Sequence, residues 1–127
     1  MLNREALLRE LSNPALDLRR CWLTAGGALV LYGLRRETAD IDLGCEPSLA
    51  DELERAGAET VRKPDGNRKL HLPPSIDLFE NWGRGTVRLL DGIPTVSLED
   101  LLALKLSLNR PKDQEDIAVL RSALGLR

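Results

Sequence analysis

A glycine pair, Gly26-Gly27, interrupts the apolar residues between positions 21 and 34 and most constrains how this chain can fold. The short apolar run Cys21–Thr24 before the pair is typical of a buried strand, whereas residues 28–34 after it have the apolar spacing of a helix. In residues 40–43 acidic and aliphatic side chains alternate, as they do in a strand with one buried face. Residues 21–43 therefore predict a strand–turn–helix–strand unit.

Similar patterns predict further helices and strands on both sides of this unit. Helices are expected at residues 3–11, 47–56, 97–108 and from Pro111 onward, and strands at residues 60–63, 69–72, 75–79 and within a hairpin at 86–96. A capping box formed by Ser97 and Asp100 opens the third of these helices. The order predicts one α/β or α+β domain over residues 1–127, with a mixed sheet flanked by helices and a C-terminal helix pair.

Asp40 and Asp42 carry the clearest chemistry in the predicted unit. Residues two apart on a strand share a face and lie about 6.6 Å apart, so the two carboxylates would converge on the side opposite to Ile41 and Leu43. Two like charges this close repel each other unless a cation lies between them, and Mg²⁺ prefers such oxygen ligands together with substrate phosphates. The alternative interpretation is an edge strand whose acidic face is solvated.

The glycine pair also has two interpretations. The backbone amides around Gly26 and Gly27 could cradle a phosphate with no Cβ in the way, or the pair could simply form a turn. Arg35 and Arg36 lie between the glycines and the acids, where either could balance the charge of a triphosphate. Thr38 could hold the loop that leads into the strand or donate to a phosphate.

Taken together, these residues resemble a known family. The string from Trp22 to Gly33, followed by Arg36-Glu37-Thr38-Ala39-Asp40-Ile41-Asp42-Leu43, resembles the DNA polymerase beta-like nucleotidyltransferase superfamily. The segment is most similar to the small bacterial branch that includes toxins of the AbiEii type and the lincosamide and aminoglycoside nucleotidyltransferases. It departs from the pattern in two ways: Ala28 stands where a serine is commoner, and we expect no large second domain to supply an acceptor site within these 127 residues.

The resemblance implies a third carboxylate on a neighbouring strand, and Asp77 is the acid inside a later strand-like run. Asp40, Asp42 and Asp77 would then hold Mg²⁺ as a two-metal site, with Asp77 either a further ligand or the general base toward an acceptor hydroxyl. The alternative for Asp77 is an acid at a strand end that faces water. The nucleotide-binding residues that the pattern and the resemblance suggest are Gly26, Gly27, Arg36, Thr38 and Lys105.

Lys105 lies on the apolar stripe of its predicted helix, so its ammonium must either extend to water or meet an anion. The resemblance places this lysine beside a phosphate. Four residues further along match a string found in the same relatives, although a solvated start of the last helix explains them equally well: Arg110, Lys112, Asp113 and Asp116.

The histidine and the two tryptophans are interpreted as structural. His71 has no Cys or His partner at ligand spacing, which favours a structural role over a catalytic one. Trp22 has no interleaved basic residues, and only Arg84 is near Trp82 in the sequence, so both rings are expected to pack rather than to stack on bases.

These residues predict an enzyme that moves a nucleoside monophosphate from a nucleoside triphosphate such as ATP to a hydroxyl of an antibiotic, a tRNA or a protein. A toxin of a toxin–antitoxin pair is one form of this activity, and a second copy of the chain or an antitoxin-like protein would be the partner. The alternative, from a different functional class, is a non-catalytic module that binds a nucleotide or a protein partner on the same fold.

Composition limits where and how such a protein works. A formal net charge of −2 and a pI near 5.5 argue against general nucleic-acid binding. No apolar stretch approaches the ~20 residues that span a bilayer, and the N-terminus does not have the pattern of a secretion signal. Cys21 and Cys45 lack metal or redox spacing and predict buried free thiols. We expect a cytoplasmic protein that does not bind membranes.

Overall fold

The computed structural model describes residues 1–126, which form nine strands and five helices. The strands are β1 Leu2–Asn3, β2 Cys21–Thr24, β3 Glu37–Thr38, β4 Ile41–Cys45, β5 Glu59–Arg62, β6 Arg68–Leu72, β7 Ile76–Glu80, β8 Val87–Leu90 and β9 Ile93–Val96. The helices are α1 Arg4–Leu11, α2 Ala25–Leu31, α3 Pro47–Arg55, α4 Leu98–Leu108 and α5 Gln114–Ala123. Within the described residues, no helix is both long and apolar enough to cross a bilayer.

Seven strands form one mixed sheet in the order β5-β6-β7-β4-β2-β9-β8, and β1 pairs with β3 in a separate two-stranded sheet. β4 lies in the middle of the large sheet, antiparallel to β2 and parallel to β7. The predicted fold class, a mixed sheet flanked by helices, is therefore confirmed. The interpretation of residues 40–43 as a solvated edge strand is wrong, because β4 has a neighbouring strand on each side.

Local signals in the sequence explain where several elements begin and turn. The Asn3 side chain accepts a hydrogen bond from the Ala6 amide and caps α1, as the Ser97 side chain caps α4 by accepting from the Asp100 amide. β8 and β9 are joined through Asp91 and Gly92, which have φ angles of 51° and 76°. Both angles lie in the left-handed region that a tight hairpin turn requires.

One face of the large sheet carries the aliphatic core. Side chains alternate between the two faces of a strand, and on β2, β4 and β7 every second residue is completely or almost completely buried, as is Leu70 on β6. Helix α2 packs against β2 and β4, and α3 packs against β6 and β7. The most buried strand residues of this core are Leu23, Ile41, Leu43, Leu70, Ile76 and Leu78.

The opposite face carries a row of polar side chains, and strand register creates this row. Thr24 on β2 pairs with Asp42 on β4, Asp42 pairs with Asp77 on β7, and Asp77 pairs with His71 on β6. Residues paired in this way project from the same face of a sheet. Four residues that are far apart in the sequence are thus brought side by side.

A second row on this face contains Gly44 on β4. Gly44 is paired with Trp22 on β2 and with Phe79 on β7. The indole Nε1 of Trp22 donates a hydrogen bond of 2.8 Å to the main-chain carbonyl of Trp82. A Cβ at position 44 would collide with both the Trp22 indole and the Trp82 carbonyl oxygen. The missing side chain of Gly44 therefore makes room for the Trp22 indole and for the backbone at Trp82, which follows β7.

We expect Gly44→Ala to lower the free energy of unfolding by about 3 kcal/mol, because a clash with backbone cannot be relieved by a rotamer change. Gly66→Ala is the matched comparison, since position 66 has open space around it and a φ of 87°. That variant should lose only about 1 kcal/mol, from conformational strain. Chemical denaturation of both variants measures the difference, and equal losses would contradict the steric role of Gly44.

Candidate active site

A cavity of about 690 Å³ lies beside the start of β4 and the start of α2. Five of the residues predicted to act in the site line it: Gly26, Thr38, Asp40, Asp42 and Lys105. Gly27, Arg36 and Asp77 were predicted to belong to the same site but are not among the lining residues.

Asp42 is the partly buried carboxylate of this cavity. β4 begins at Ile41, so Asp42 lies on the strand, whereas Asp40 precedes the strand and is exposed. Burial, followed by the negative charges of Asp77 and Asp40, raises the pKa of Asp42 to about 6. The prediction that both acids lie on one strand is thus correct only for Asp42, but both acids face the same cavity.

Asp77 is the register neighbour of Asp42 and projects from the same face of the sheet. Its Oδ1 lies 2.9 Å from Nδ1 of His71, within hydrogen-bond distance. The interpretation of Asp77 as an acid at a strand end is wrong, because Asp77 is the second residue of β7, a strand that pairs with β4 and β6. His71 has a partner that its sequence neighbourhood did not reveal, namely the carboxylate on the adjacent strand.

The three acids do not form a ready-made metal cage. In the part of the chain that the structure describes, no group of three or more His, Cys, Asp or Glu side chains is arranged to hold a metal ion. Two carboxylates that face a cavity do match the ligands that Mg²⁺ takes from a protein when phosphate oxygens complete its shell. The raised pKa of Asp42 reflects, in part, the like-charge repulsion that a cation would relieve.

Gly26 and Gly27 have different surroundings. A Cβ at position 26 would lie within 2.6 Å of Thr38 Oγ1 and collide with the Arg35 guanidinium, so the backbone approaches its neighbours closely at the cavity wall. Gly27 is buried against Leu23, and a Cβ there would come 3.0 Å from that side chain. The structure therefore gives Gly27 a packing role and leaves Gly26 at the cavity.

The two adjacent arginines also differ. Arg35 lines the cavity, and its Nη2 lies 3.4 Å from Oδ1 of Asp116. Arg36 is exposed and is not among the lining residues. Of the two cations that could balance a triphosphate, the structure places Arg35 in the better position.

Lys105 meets protein carboxylates, an arrangement that neither of its predicted roles included. Its ammonium lies 3.3 Å from Asp113 and 3.3 Å from Asp116, and its side chain is 15% exposed. Arg110 is 2.8 Å from Asp113 and lowers the pKa of that carboxyl by hydrogen bonding. We call these five residues the ion-pair cluster: Arg35, Lys105, Arg110, Asp113 and Asp116.

The interpretation of this region as a solvated helix start is wrong for its acids. Asp113 is completely buried and Asp116 is 7% exposed, whereas Arg110 and Lys112 are exposed as expected. Sequence reasoning missed the pairing, although one signal was present. Asp113 and Asp116 are three residues apart, which is the spacing that places both carboxylates on one side of a helix toward a lysine on α4.

Comparison with known proteins supports the fold. The structure resembles that of a Thermotoga maritima protein described as a putative nucleotidyltransferase, with a TM-score of 0.63 and 21% sequence identity. The similarity covers 100% of this chain and 97% of that chain. No protein-family model matches the sequence, and no curated protein matches it. The chain thus has a nucleotidyltransferase-like fold.

The pH dependence of stability should reveal the environment of Asp42. The pKa of Asp42 is raised from 3.8 to about 6 in the folded protein. Above pH 6 the carboxylate is ionised in both states and lowers the free energy of unfolding, and this loss shrinks as the pH falls from 6 toward 3.8. Asp42→Asn should therefore raise the free energy of unfolding by on the order of 2 kcal/mol at about pH 7.5 and only slightly near about pH 4. Thermal unfolding in chelator measures both values.

Glu37→Gln is the control for that experiment, since Glu37 is an exposed acid on β3. Its effect on stability should be small at both pH values. A loss of stability in Asp42→Asn at neutral pH would show that the ionised carboxylate supports the fold.

Lys105→Met should destabilise the protein by about 2 kcal/mol, because it leaves two buried carboxylates with fewer positive partners. Lys112→Met removes an exposed lysine from the same region and should change stability little. Urea denaturation of both variants provides the test. Unchanged stability of Lys105→Met would indicate that the ammonium extends to water.

Proposed function

We propose that this protein transfers a nucleoside monophosphate from a nucleoside triphosphate to a hydroxyl group in a Mg²⁺-dependent reaction. One observation carries the proposal: Asp40 and Asp42 line the same cavity as Gly26 and Arg35, on a nucleotidyltransferase-like fold. Carboxylates, a close backbone approach and a cation that line one cavity are what a bound metal–triphosphate complex needs.

In this proposal the acceptor oxygen attacks the α-phosphorus, the bond to the bridging oxygen breaks, and pyrophosphate leaves. Asp40 and Asp42 would hold Mg²⁺, which would supply positive charge to stabilise the negative charge that develops during transfer. Asp77, beside Asp42 and hydrogen-bonded to His71, would either complete the metal site or take the proton of the acceptor hydroxyl.

The nucleotide would contact other residues that line the cavity. The backbone at Gly26 would approach a phosphate, and Thr38 lies within reach of the same loop. Arg35 and Lys105 would neutralise phosphate charge, with Arg35 taking the role that the sequence suggested for Arg36. A toxin role, the cytoplasmic location and an antitoxin-like or homodimeric partner remain predictions from the sequence.

The ion-pair cluster favours the second candidate, a non-catalytic module that binds a nucleotide or a partner. Its three cations are engaged with two buried carboxylates, so the phosphates would have to compete for them. Three positive and two negative charges leave a net charge of one, which would still attract a nucleotide. An enzyme and a non-catalytic nucleotide-binding module would therefore both bind a nucleotide, and only the enzyme would turn it over.

Pyrophosphate release distinguishes the two. With Mg²⁺ and a panel of nucleoside triphosphates, the protein should release pyrophosphate when offered tRNA, aminoglycosides or protein as acceptors, and chelator should abolish the release. Asp40→Asn and Asp42→Asn should each lower the rate about 100-fold or more, as removal of a preorganised charge-stabilising group does. Glu37→Gln should retain it. Nucleotide binding without any pyrophosphate release would favour the non-catalytic module.

A further inference from the structure

Two aromatic rings line the cavity on the side of Asp77. Phe79 follows Asp77 by two residues on β7, so both side chains project from the same face. Trp82 lies just beyond this strand, and its ring is 5.0 Å from that of Phe79, centroid to centroid, at 53°. Both residues line the cavity and both are partly exposed.

Two lysines lie over the Phe79 ring. Lys69 is the register partner of Phe79 on β6, and its Nζ is 5.5 Å from the centre of the Phe79 ring. Nζ of Lys63, which also lines the cavity, is 5.8 Å from the same ring. Lys63 has an additional partner in Asp65, at 3.7 Å. We call these four residues the aromatic–lysine face: Lys63, Lys69, Phe79 and Trp82.

The aromatic–lysine face adjoins the proposed reacting carboxylates. The row that contains Phe79 and Lys69 lies one pleat away from the row that contains Asp42, Asp77 and His71. The positive charge of Lys69 acts on the carboxyl of Asp42, in the direction that lowers its pKa. A ligand bound to the aromatic–lysine face would thus place an adjacent group close to Asp42 and Asp77. In the sequence only Arg84 is near Trp82, whereas in the fold Lys63 and Lys69 lie over the adjacent Phe79 ring.

We propose that the aromatic–lysine face binds the acceptor, and that the acceptor is the end of a single-stranded nucleic acid. This inference rests on the proposed function and selects among its acceptors. A terminal base would stack on the Trp82 ring, as bases do on exposed aromatic side chains. Lys63 and Lys69 have long, flexible side chains that would swing from the Phe79 ring to the flanking phosphates.

The positive charge of the two lysines favours a nucleic-acid acceptor over an aminoglycoside or a protein. An aminoglycoside is a polycation, and the two lysines of the aromatic–lysine face would repel it. A protein hydroxyl would present neither a stackable base nor a phosphate. The net charge of −2 is compatible with the inference, because the aromatic–lysine face would contact only about two phosphates rather than track a long strand.

Binding of a fluorescein-labelled, unstructured oligoribonucleotide of about eight residues tests the inference, since single-strand sites of this kind span ~4–16 nucleotides. Fluorescence anisotropy is measured in chelator, so that no transfer occurs. Trp82→Ala should weaken binding about five-fold or more, whereas Trp82→Phe should largely retain it. The double variant Lys63→Gln/Lys69→Gln should weaken binding and reduce the slope of log affinity against log salt by about 1.4.

Arg9→Gln is the matched control, because it removes one positive charge from an exposed position on α1. It should leave binding unchanged, and thermal unfolding of every variant checks that the fold persists. Equal affinities of the wild-type protein, Trp82→Ala and the double lysine variant would overturn the inference, as would the absence of oligonucleotide binding.

The same variants separate this inference from the proposed function. Oligonucleotide binding that depends on Trp82 and the lysines, without any pyrophosphate release, would support the aromatic–lysine face and overturn the proposed transfer. Release of pyrophosphate with an aminoglycoside or protein acceptor, at equal rates in the wild-type protein and Trp82→Ala, would support the transfer and overturn the nucleic-acid acceptor.

Discussion

β4 is a central strand with two different faces, and the arrangement of the candidate site depends on that position. Its odd-numbered residues are buried in the aliphatic core, and this burial fixes the register of the strand against β2 and β7. A slip of one residue would move Ile41 and Leu43 out of the core. The even-numbered residues Asp42 and Gly44 are therefore held opposite Asp77 and Trp22 by hydrophobic packing on the other side of the sheet. The core positions the carboxylates.

Charge around the cavity is arranged in two groups with opposite character. Near β4, the carboxylates of Asp40, Asp42 and Asp77 lie close enough that the other two charges raise the pKa of Asp42. In the ion-pair cluster, which also lines the cavity, the acids are surrounded by cations, and the pKa of Asp113 is lowered. One group would gain from an added cation and the other carries a small positive excess. A metal–phosphate complex has the complementary charge distribution.

Much of the fold could be predicted from the sequence, because the signals involved are local. Glycines, capping residues and apolar periodicity predicted β2, the β5–β6 hairpin, the turn at Asp91 and the start of α4. Residues of the candidate site could be predicted where the signal lies within one short segment, as it does for Gly26 and Asp42. The partners of Lys105, His71 and Phe79 come from other elements, and their identity depends on register and helix packing. Periodicity shows that the ammonium of Lys105 must reach water or an anion, but it does not say which one or identify the anion.

The contacts of Gly26 connect it to another residue that lines the cavity, Asp40. Thr38 crowds Gly26 from one side, and its Oγ1 donates a hydrogen bond of 3.1 Å to the main-chain carbonyl of Asp40. The backbone that would meet a phosphate is thus connected, through one threonine side chain, to the backbone that carries an acid. A ligand entering the cavity finds this spacing already preorganised. Little of its binding energy is then lost to ordering the protein, and even a small domain can position a reacting group well.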